Sequence, residues 1–302
     1  MLPLFASKAR VVATVGLPGH GKTVFLASLF RDSFFVLSET LKPFAVRAVT
    51  AKADDVFYGN AQILDDLELP PANPRGKPEP AILEFSQVPL RRGPWRRNLR
   101  LTFYDLAGEV FRSDRLAGEY APFLSDADDI IFLFDPTHPD FNALGAARLV
   151  DLISRVAVKN RRQNLIIALS KMDELCAQDE WASIIGDLWP DTPPARTDLP
   201  EYFRQMDNLS HMLRLWWTDP ARESQNLMNS LARRTRFCAL SSVGHQPVWD
   251  CAQCRATNPG PLQQCAQCRT TRANARLRLV RKPEPFRVRD PLFWIFRAAG
   301  VM

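Results

Sequence analysis

Near the N-terminus stands Gly16-Leu-Pro-Gly19-His20-Gly21-Lys22-Thr23, a run whose residue types and spacing suit phosphate chemistry. Backbone N–H groups can converge on phosphate oxygens only where side chains do not obstruct them, and Gly16, Gly19 and Gly21 clear that space. A lysine at the next position reaches terminal phosphates, and a following hydroxyl ligates Mg²⁺; Lys22 and Thr23 occupy those places. The alternative is a chance glycine turn. A second set lies far along the chain: Cys251, Cys254, Cys265 and Cys268, two C-x₂-C pairs separated by ten residues. Four thiolates paired in this way suit a tetrahedral, closed Zn²⁺ site. Clustering of these four among six cysteines argues for metal over a dispersed disulfide framework, although a disulfide pairing of the same thiols is the alternative.

Each polar set needs an element to hold it. "RVVATVG" is a β-branched run fit for a buried strand, and "KTVFLASLF" has helical apolar spacing, so the glycine run joins a strand to a helix whose positive end faces the same phosphates. "LRLTFYDLAGEVF" alternates and ends in Asp105, placed to hold the hydration shell of Mg²⁺, with the Gly108 N–H available to a γ-phosphate. "DDIIFLFDP" reads as a buried strand. "NLIIALSKMDE" sets Ser170, Lys171 and Asp173 just beyond another, and "RFCALSSVG" ends a further strand at Ser241 and Ser242. Alternating strands and helices call for an α/β fold, a mostly parallel sheet with helices on both faces.

The ordered set GxxxxGK[ST], DxxG, [NT]KxD and a serine loop resembles the TRAFAC-class P-loop GTPases, and so a Ras-like fold. That resemblance implies GTP/GDP and Mg²⁺ as cofactors. It implies that Asp173 accepts from guanine N1–H and N2–H, that Lys171 stacks over the base, and that the loop at Ser241 and Ser242 meets guanine O6 through backbone N–H. Ser170 replaces the usual Asn or Thr. "GLPGHGKTVFLASLF", "DLAGEVF" and "VRDPLFWIF" are similar to the bacterial double-GTPase-like proteins, which implies a role in a bacterial signalling or conflict and defence system, with an operon-encoded protein partner.

Two departures bear on catalysis. The second strand is expected at residues 81–90, and the preceding "LPPANPRGKPEP" contains no Thr or Ser to sense the γ-phosphate. Ala72 occupies that place, or Thr50 or Thr40 reaches in from farther away; equally, the segment is a stiff linker. Glu109 stands where relatives use Gln to orient water, and its charge faces a triphosphate at close range. Slow unaided hydrolysis follows, with Glu109 and Lys22 as the catalytic candidates and a partner's arginine as a remedy. His20, at the tip of the glycine loop, is expected to face solvent.

"VWDCAQCRATNPGPLQQCAQC" resembles small zinc fingers of the Ran-binding-protein type, in which the Trp packs on the metal knuckle and the Asn buttresses the loops; Trp249 and Asn258 match. Its recognition residues match neither the ubiquitin-binding nor the RNA-binding form, so a structural or protein-docking finger is expected. The chain divides into a GTPase core over residues 1–245 with a helical insertion near 178–235, a finger over 246–270, and a closing strand and helix over 271–302. Cys176 and Cys238 read as core residues.

At 302 residues, with 46% hydrophobic and 24% charged content, the composition is that of a soluble globular protein. The net charge of +6 owes much to "RRGPWRRNLR" and "RTTRANARLRLVRK", which read as solvated edges or as a nucleic-acid contact. No apolar stretch approaches the roughly 18 residues of a bilayer span, and the N-terminus lacks a secretory pattern, so the cytoplasm is expected. The functional expectation is a GTP-binding switch with weak hydrolysis and a protein partner. An inactive GTPase-like scaffold and an RNA-associated GTPase are the alternatives.

Overall fold

The computed structural model describes residues 8–34, 44–71, 79–89, 96–105, 108, 110, 115, 119, 122–137, 163–176, 199–218, 234–272 and 275–301. Strand β1 (Lys8–Val15) runs through the middle of a seven-stranded sheet in the order β2-β3-β4-β1-β5-β6-β7. The others are β2 (Ala45–Ala48), β3 (Ala81–Pro89), β4 (Arg96–Asp105), β5 (Asp129–Phe134), β6 (Asn164–Leu169) and β7 (Arg234–Ala239). From β4 across to β7 every pairing is parallel, whereas β2, β3 and β4 pair antiparallel. The expected second strand is therefore the third, because Ala45–Ala48 forms an edge strand of its own. Four residues carrying one arginine are too short to show a period of two.

Parallel strands buried on both faces read as apolar runs. One face sets Val12, Leu101, Phe103, Ile131 and Ile166 into the main core, and Ala13, Phe132 and Ile167 on the other face are equally buried. Helix α1 (Lys22–Asp32) covers the first face with Phe25, Leu26, Leu29 and Phe30. Beside it lie α2 (Ala51–Ala53), a wide π-type turn (Asp54–Gly59) and α3 (Asn60–Asp65). Phe57 of that turn meets Phe30 and Phe103 edge to face or tilted. Thr50 caps α2 by accepting from the Ala53 N–H at 3.2 Å, and it also accepts from the Ile82 N–H at 3.3 Å. Its hydroxyl is thereby committed to the join of β2 and β3.

Among the described residues two α-helices lie between β6 and β7: the short α4 (Met172–Leu175) and the 20-residue α5 (Leu199–Thr218). Helix α5 buries Tyr202, Met206, Leu209 and Leu213 along one stripe. Its Ser210 hydroxyl accepts from the Phe237 N–H of β7 at 3.0 Å. The closing helix, α6 (Asp290–Ala299), carries Pro291 in its first turn and is capped by Gly300, whose φ of 77° lets Val301 N–H return to the Phe296 carbonyl at 3.0 Å. Its aromatic face lies in the core, with Phe296 against Phe44 and Phe85. No described helix is long and apolar enough to cross a membrane. In place of the expected closing strand, the chain before α6 makes isolated bridges, Arg278 with Glu68 and Val248, and Phe286 with Ser241.

Between β7 and α6 lies a separate hairpin of β8 (Val248–Asp250) and β9 (Thr257–Pro259), with Cys251 and Cys254 in its turn and Cys265 and Cys268 in the segment that follows β9.

Candidate functional site

The carboxyl ends of β1, β4, β5, β6 and β7 point to one edge of the sheet, and β1 is where the chain passes from one half of the sheet to the other. Crevices at such points are where α/β sheets bind ligands. The glycine run leaves β1 and enters α1 there. Gly19 and Gly21 have φ of 81° and 82°, a left-handed backbone that L side chains rarely adopt. Gly16 is needed for a different reason: a Cβ there would stand 2.6 Å from the Leu133 carbonyl oxygen of β5. Lys22 curls back over this loop and donates to the Gly16 and Leu17 carbonyls at 2.8 and 3.1 Å.

Thr23, one residue into α1, donates its hydroxyl to Asp105 at the end of β4, at 3.3 Å. A hydroxyl and a carboxylate brought together at a helix start form an oxygen donor set of the kind that Mg²⁺ takes with phosphates and water, so these residues fit that ion. Gly108 packs onto the phosphate loop so closely that a Cβ would lie 2.3 Å from Pro18 N. Glu109, Ala72 and Thr40 lie outside the described residues.

His20 does not face solvent. Its side chain is buried, its Nδ1–H donates to the Leu133 carbonyl at 3.3 Å, and its ring sits edge-on to Phe134. The loop turns inward because its tip lies over the apolar end of β5. Ser170 ties the same tip to the neighbouring strands: its hydroxyl lies 3.2 Å from the His20 carbonyl and 3.1 Å from that of Phe134. The replacement of Asn or Thr by Ser therefore still joins the loop after β6 to the glycine loop.

Lys171 takes a left-handed conformation (φ 58°) ahead of α4, and its ammonium is 2.6 Å from the buried carboxylate of Asp135. Two residues on, Asp173 accepts from the hydroxyl of Ser241. The Ser241 hydroxyl in turn accepts from the Gly244 N–H at 2.8 Å, which shapes the loop. The Ser242 carbonyl accepts from Ser28 of α1 at 2.6 Å. Burial pushes the Glu174 carboxyl up, the Lys171 ammonium pulls it down, and the Asp173 and Asp135 carboxylates add to the rise. Asp135 and Ser28 were not singled out in the sequence. An acid closing an otherwise apolar strand, in "FLFDPT", was the available signal for the first; nothing marked the second.

At the hairpin, the Sγ atoms of Cys251, Cys254, Cys265 and Cys268 all lie within 4.8 Å of one another. Cys251 to Cys268 and Cys254 to Cys265 are each 3.5 Å apart, far longer than a disulfide of about 2.05 Å. Zn–S bonds of about 2.3 Å imply tetrahedral edges of about 3.8 Å, so the four sulfurs fit zinc. Backbone N–H donation from Cys268, opposed by burial and aided by Gln267, brings the Cys265 thiol down to about 6. The Ala256 N–H pulls Cys254 down, but burial and the neighbouring thiols push it up to about 12. Such a set wants a cation to hold all four as thiolates. Trp249 is buried among the cysteines and donates to the Pro259 carbonyl at 3.1 Å. Asn258 spans the two knuckles, donating to Ala256 O at 2.8 Å and accepting from Ala266 N–H at 2.9 Å. Cys238 is buried in the core and Cys176 half-buried beside α4; burial raises both thiols.

A mostly parallel sheet whose strand ends carry a glycine phosphate loop, an aspartate, a Lys-x-Asp loop and a serine loop defines the P-loop GTPase class. Within that class, residues 10–198 match the family model of Double-GTPase 2, and the chain belongs to that family. The four-cysteine hairpin lies beyond the matched residues. Among solved structures, the chain is similar to one in the signal recognition particle receptor SRb-GTP/SRX complex from Chaetomium thermophilum, at 15% identity and a TM-score of 0.38, covering 80% of this chain and 94% of that one. No curated protein matches it.

Proposed function

We propose that the chain is a GTP-binding switch that hydrolyses GTP slowly and acts through a protein partner in a bacterial signalling or defence system. The observation that carries this reading is the join between the two halves of the site. Ser170 links the glycine loop to the loop bearing Lys171 and Asp173, and Ser241 donates to the Asp173 carboxylate, which supports reading these loops as one nucleotide site. In this reading Gly16, Gly19, His20, Gly21 and Lys22 cradle the phosphates, and Thr23 and Asp105 serve Mg²⁺. Gly108 offers its N–H to the γ-phosphate. Asp173 and the backbone at Ser241 and Ser242 read guanine, and Lys171 underlies the base. Glu109, at the sequence position where relatives use Gln, is a poor substitute for it, so turnover is slow and a partner is needed. Cys251, Cys254, Cys265 and Cys268 hold one structural Zn²⁺.

The test is competition of labelled GTP by GTP, ATP and XTP in the wild type and in Asp173→Asn. GTP should win in the wild type, and the variant should shift toward XTP, because the amide can donate where guanine also donates. Equal competition by ATP in the wild type would overturn the reading.

A further inference from the structure

Lysines usually bury their methylene stems and send the ammonium out to water. The Lys171 ammonium instead turns toward a buried group. It lies 2.6 Å from an oxygen of Asp135, a side chain with no exposed surface, while the Lys171 side chain as a whole is 38% exposed. The head is drawn to a buried carboxylate while more than a third of the side chain stays open. Lys171 stands two residues before Asp173, which joins the loop after β6 to the loop after β7 through Ser241.

Asp135 is built to do this. Its other oxygen accepts from the Thr137 N–H at 2.9 Å and from the Thr137 hydroxyl at 2.6 Å. The carboxylate cannot rotate away without losing Thr137, and it holds the Lys171 ammonium on its second oxygen. The backbone of Lys171 is itself fixed in the left-handed region, φ 58°. One end of the lysine is set by its backbone and the other by the carboxylate, so the four methylenes span a fixed line. Among the described residues, Glu174 of α4 also lies near this ammonium.

We propose that Asp135 is a positioning residue of the nucleotide site. By anchoring the Lys171 ammonium, it presents an apolar stem, and not a charge, to the face of the base. The inference rests on the nucleotide reading above and deepens it, because it assigns to the base half a residue that touches neither base nor phosphate.

The experiment measures binding of fluorescent mant-GDP and competition by inorganic pyrophosphate, a probe of the phosphate half alone, with the full-length chain. Asp135→Asn should weaken mant-GDP about tenfold and leave pyrophosphate within about twofold. Thr137→Val, which removes one donor to Asp135 and leaves the ion pair, should weaken mant-GDP about threefold in the same selective way. It keeps the test open where Asp135→Asn does not fold. Lys171→Met leaves Asp135 unpaired and should be worse for mant-GDP than the double variant Asp135→Asn/Lys171→Met, which keeps an apolar stem and removes the stranded charge. Equal losses of mant-GDP and pyrophosphate would make Asp135 merely structural and overturn the proposal, as would unchanged mant-GDP binding in Asp135→Asn. A wild type that binds pyrophosphate but no guanine nucleotide would overturn the guanine reading itself, and this inference with it.

Discussion

Replacing Cys265 with Ser should empty the four-cysteine site and unfold the hairpin while nucleotide binding falls by less than about tenfold. Cys265 is fully buried among the knuckle residues, and structural zinc sites carry roughly 10–16 kcal/mol of apparent folding free energy, so on the proposed zinc reading the hairpin should not fold without the metal. The question is how far the damage travels. The hairpin closes on a stem in which Val248 and Arg278 exchange two backbone hydrogen bonds at 2.9 Å each. Beyond the stem, Leu279 N–H donates to the Leu67 carbonyl at 2.7 Å, and its side chain is buried against Ala27 of α1 and Leu64 of α3. The same segment then meets the serine loop: Glu284 N–H reaches Val243 O at 3.0 Å, and Phe286 exchanges bonds with Ser241 at 2.8 and 3.0 Å. Once the hairpin is unfolded, the stem must close a flexible loop of roughly 30 residues, at an entropic cost of about 3 kcal/mol. Opposing that cost are the burial of Leu279, about 2 kcal/mol, and three backbone hydrogen bonds at about 1 kcal/mol each. The holding contributions exceed the closing cost by about 2 kcal/mol, so the serine loop stays mostly seated. Zinc by elemental analysis, thiol titration with DTNB and mant-GDP titration on the full-length variant check this. The reasoning is refuted by a variant that keeps one zinc per chain, or by one that loses nucleotide binding altogether while its core remains folded by circular dichroism.

Gly108→Ala should lose at least tenfold in GTP affinity, because a Cβ at 2.3 Å from Pro18 N and 2.5 Å from Leu17 C meets backbone that cannot step aside without opening the phosphate loop; mant-GTP titration reads it. Glu84 accepts from Arg100 at 2.9 Å and from Arg47 at 2.8 Å, and these donations, Arg100 first, hold its carboxyl below the ordinary 4.5 despite partial burial. A lowered carboxyl gives stability that is present above its unfolded value and lost as pH falls through the folded one. The advantage of wild type over Glu84→Gln in urea denaturation should therefore hold above about pH 5 and shrink below 4.5. It should be small and salt-sensitive, because both arginines are well exposed. Glu109→Gln should leave single-turnover GTP hydrolysis level or faster, since a neutral amide tolerates the γ-phosphate that a carboxylate repels; a collapse of activity from a fast wild type would make Glu109 the working base.

The phosphate loop was legible because its requirements are local. A left-handed backbone at Gly19 and Gly21 and a close approach at Gly16 each demand glycine, and the strand before and the helix after show their own periods. The zinc-fitting hairpin was legible for the same reason: Trp249 and Asn258 meet residues a few positions away, so spacing alone encodes the contact. His20 was misread because nothing local says that the loop tip will close over Phe134. Strand β2 was missed because four residues show no period, and its place at the sheet edge depends on Leu83, Glu84, Phe85 and Ser86 in β3. Asp135 was visible as a polar end to an apolar strand, yet its use depends on Lys171 arriving from the next strand. The tie between Ser241 and Phe286 leaves no pattern at all, since a single bridge has no alternation to read. The donors of the site are thus written in short motifs, while what aims them is written in contacts between loops from different strands. Ser170 shows the distinction within one residue. As a letter in "SKMD" it departs from the GTPase pattern, but as a hydroxyl between His20 and Phe134 it joins the glycine loop to the loop bearing Lys171 and Asp173, and only the folded sheet brings those carbonyls together.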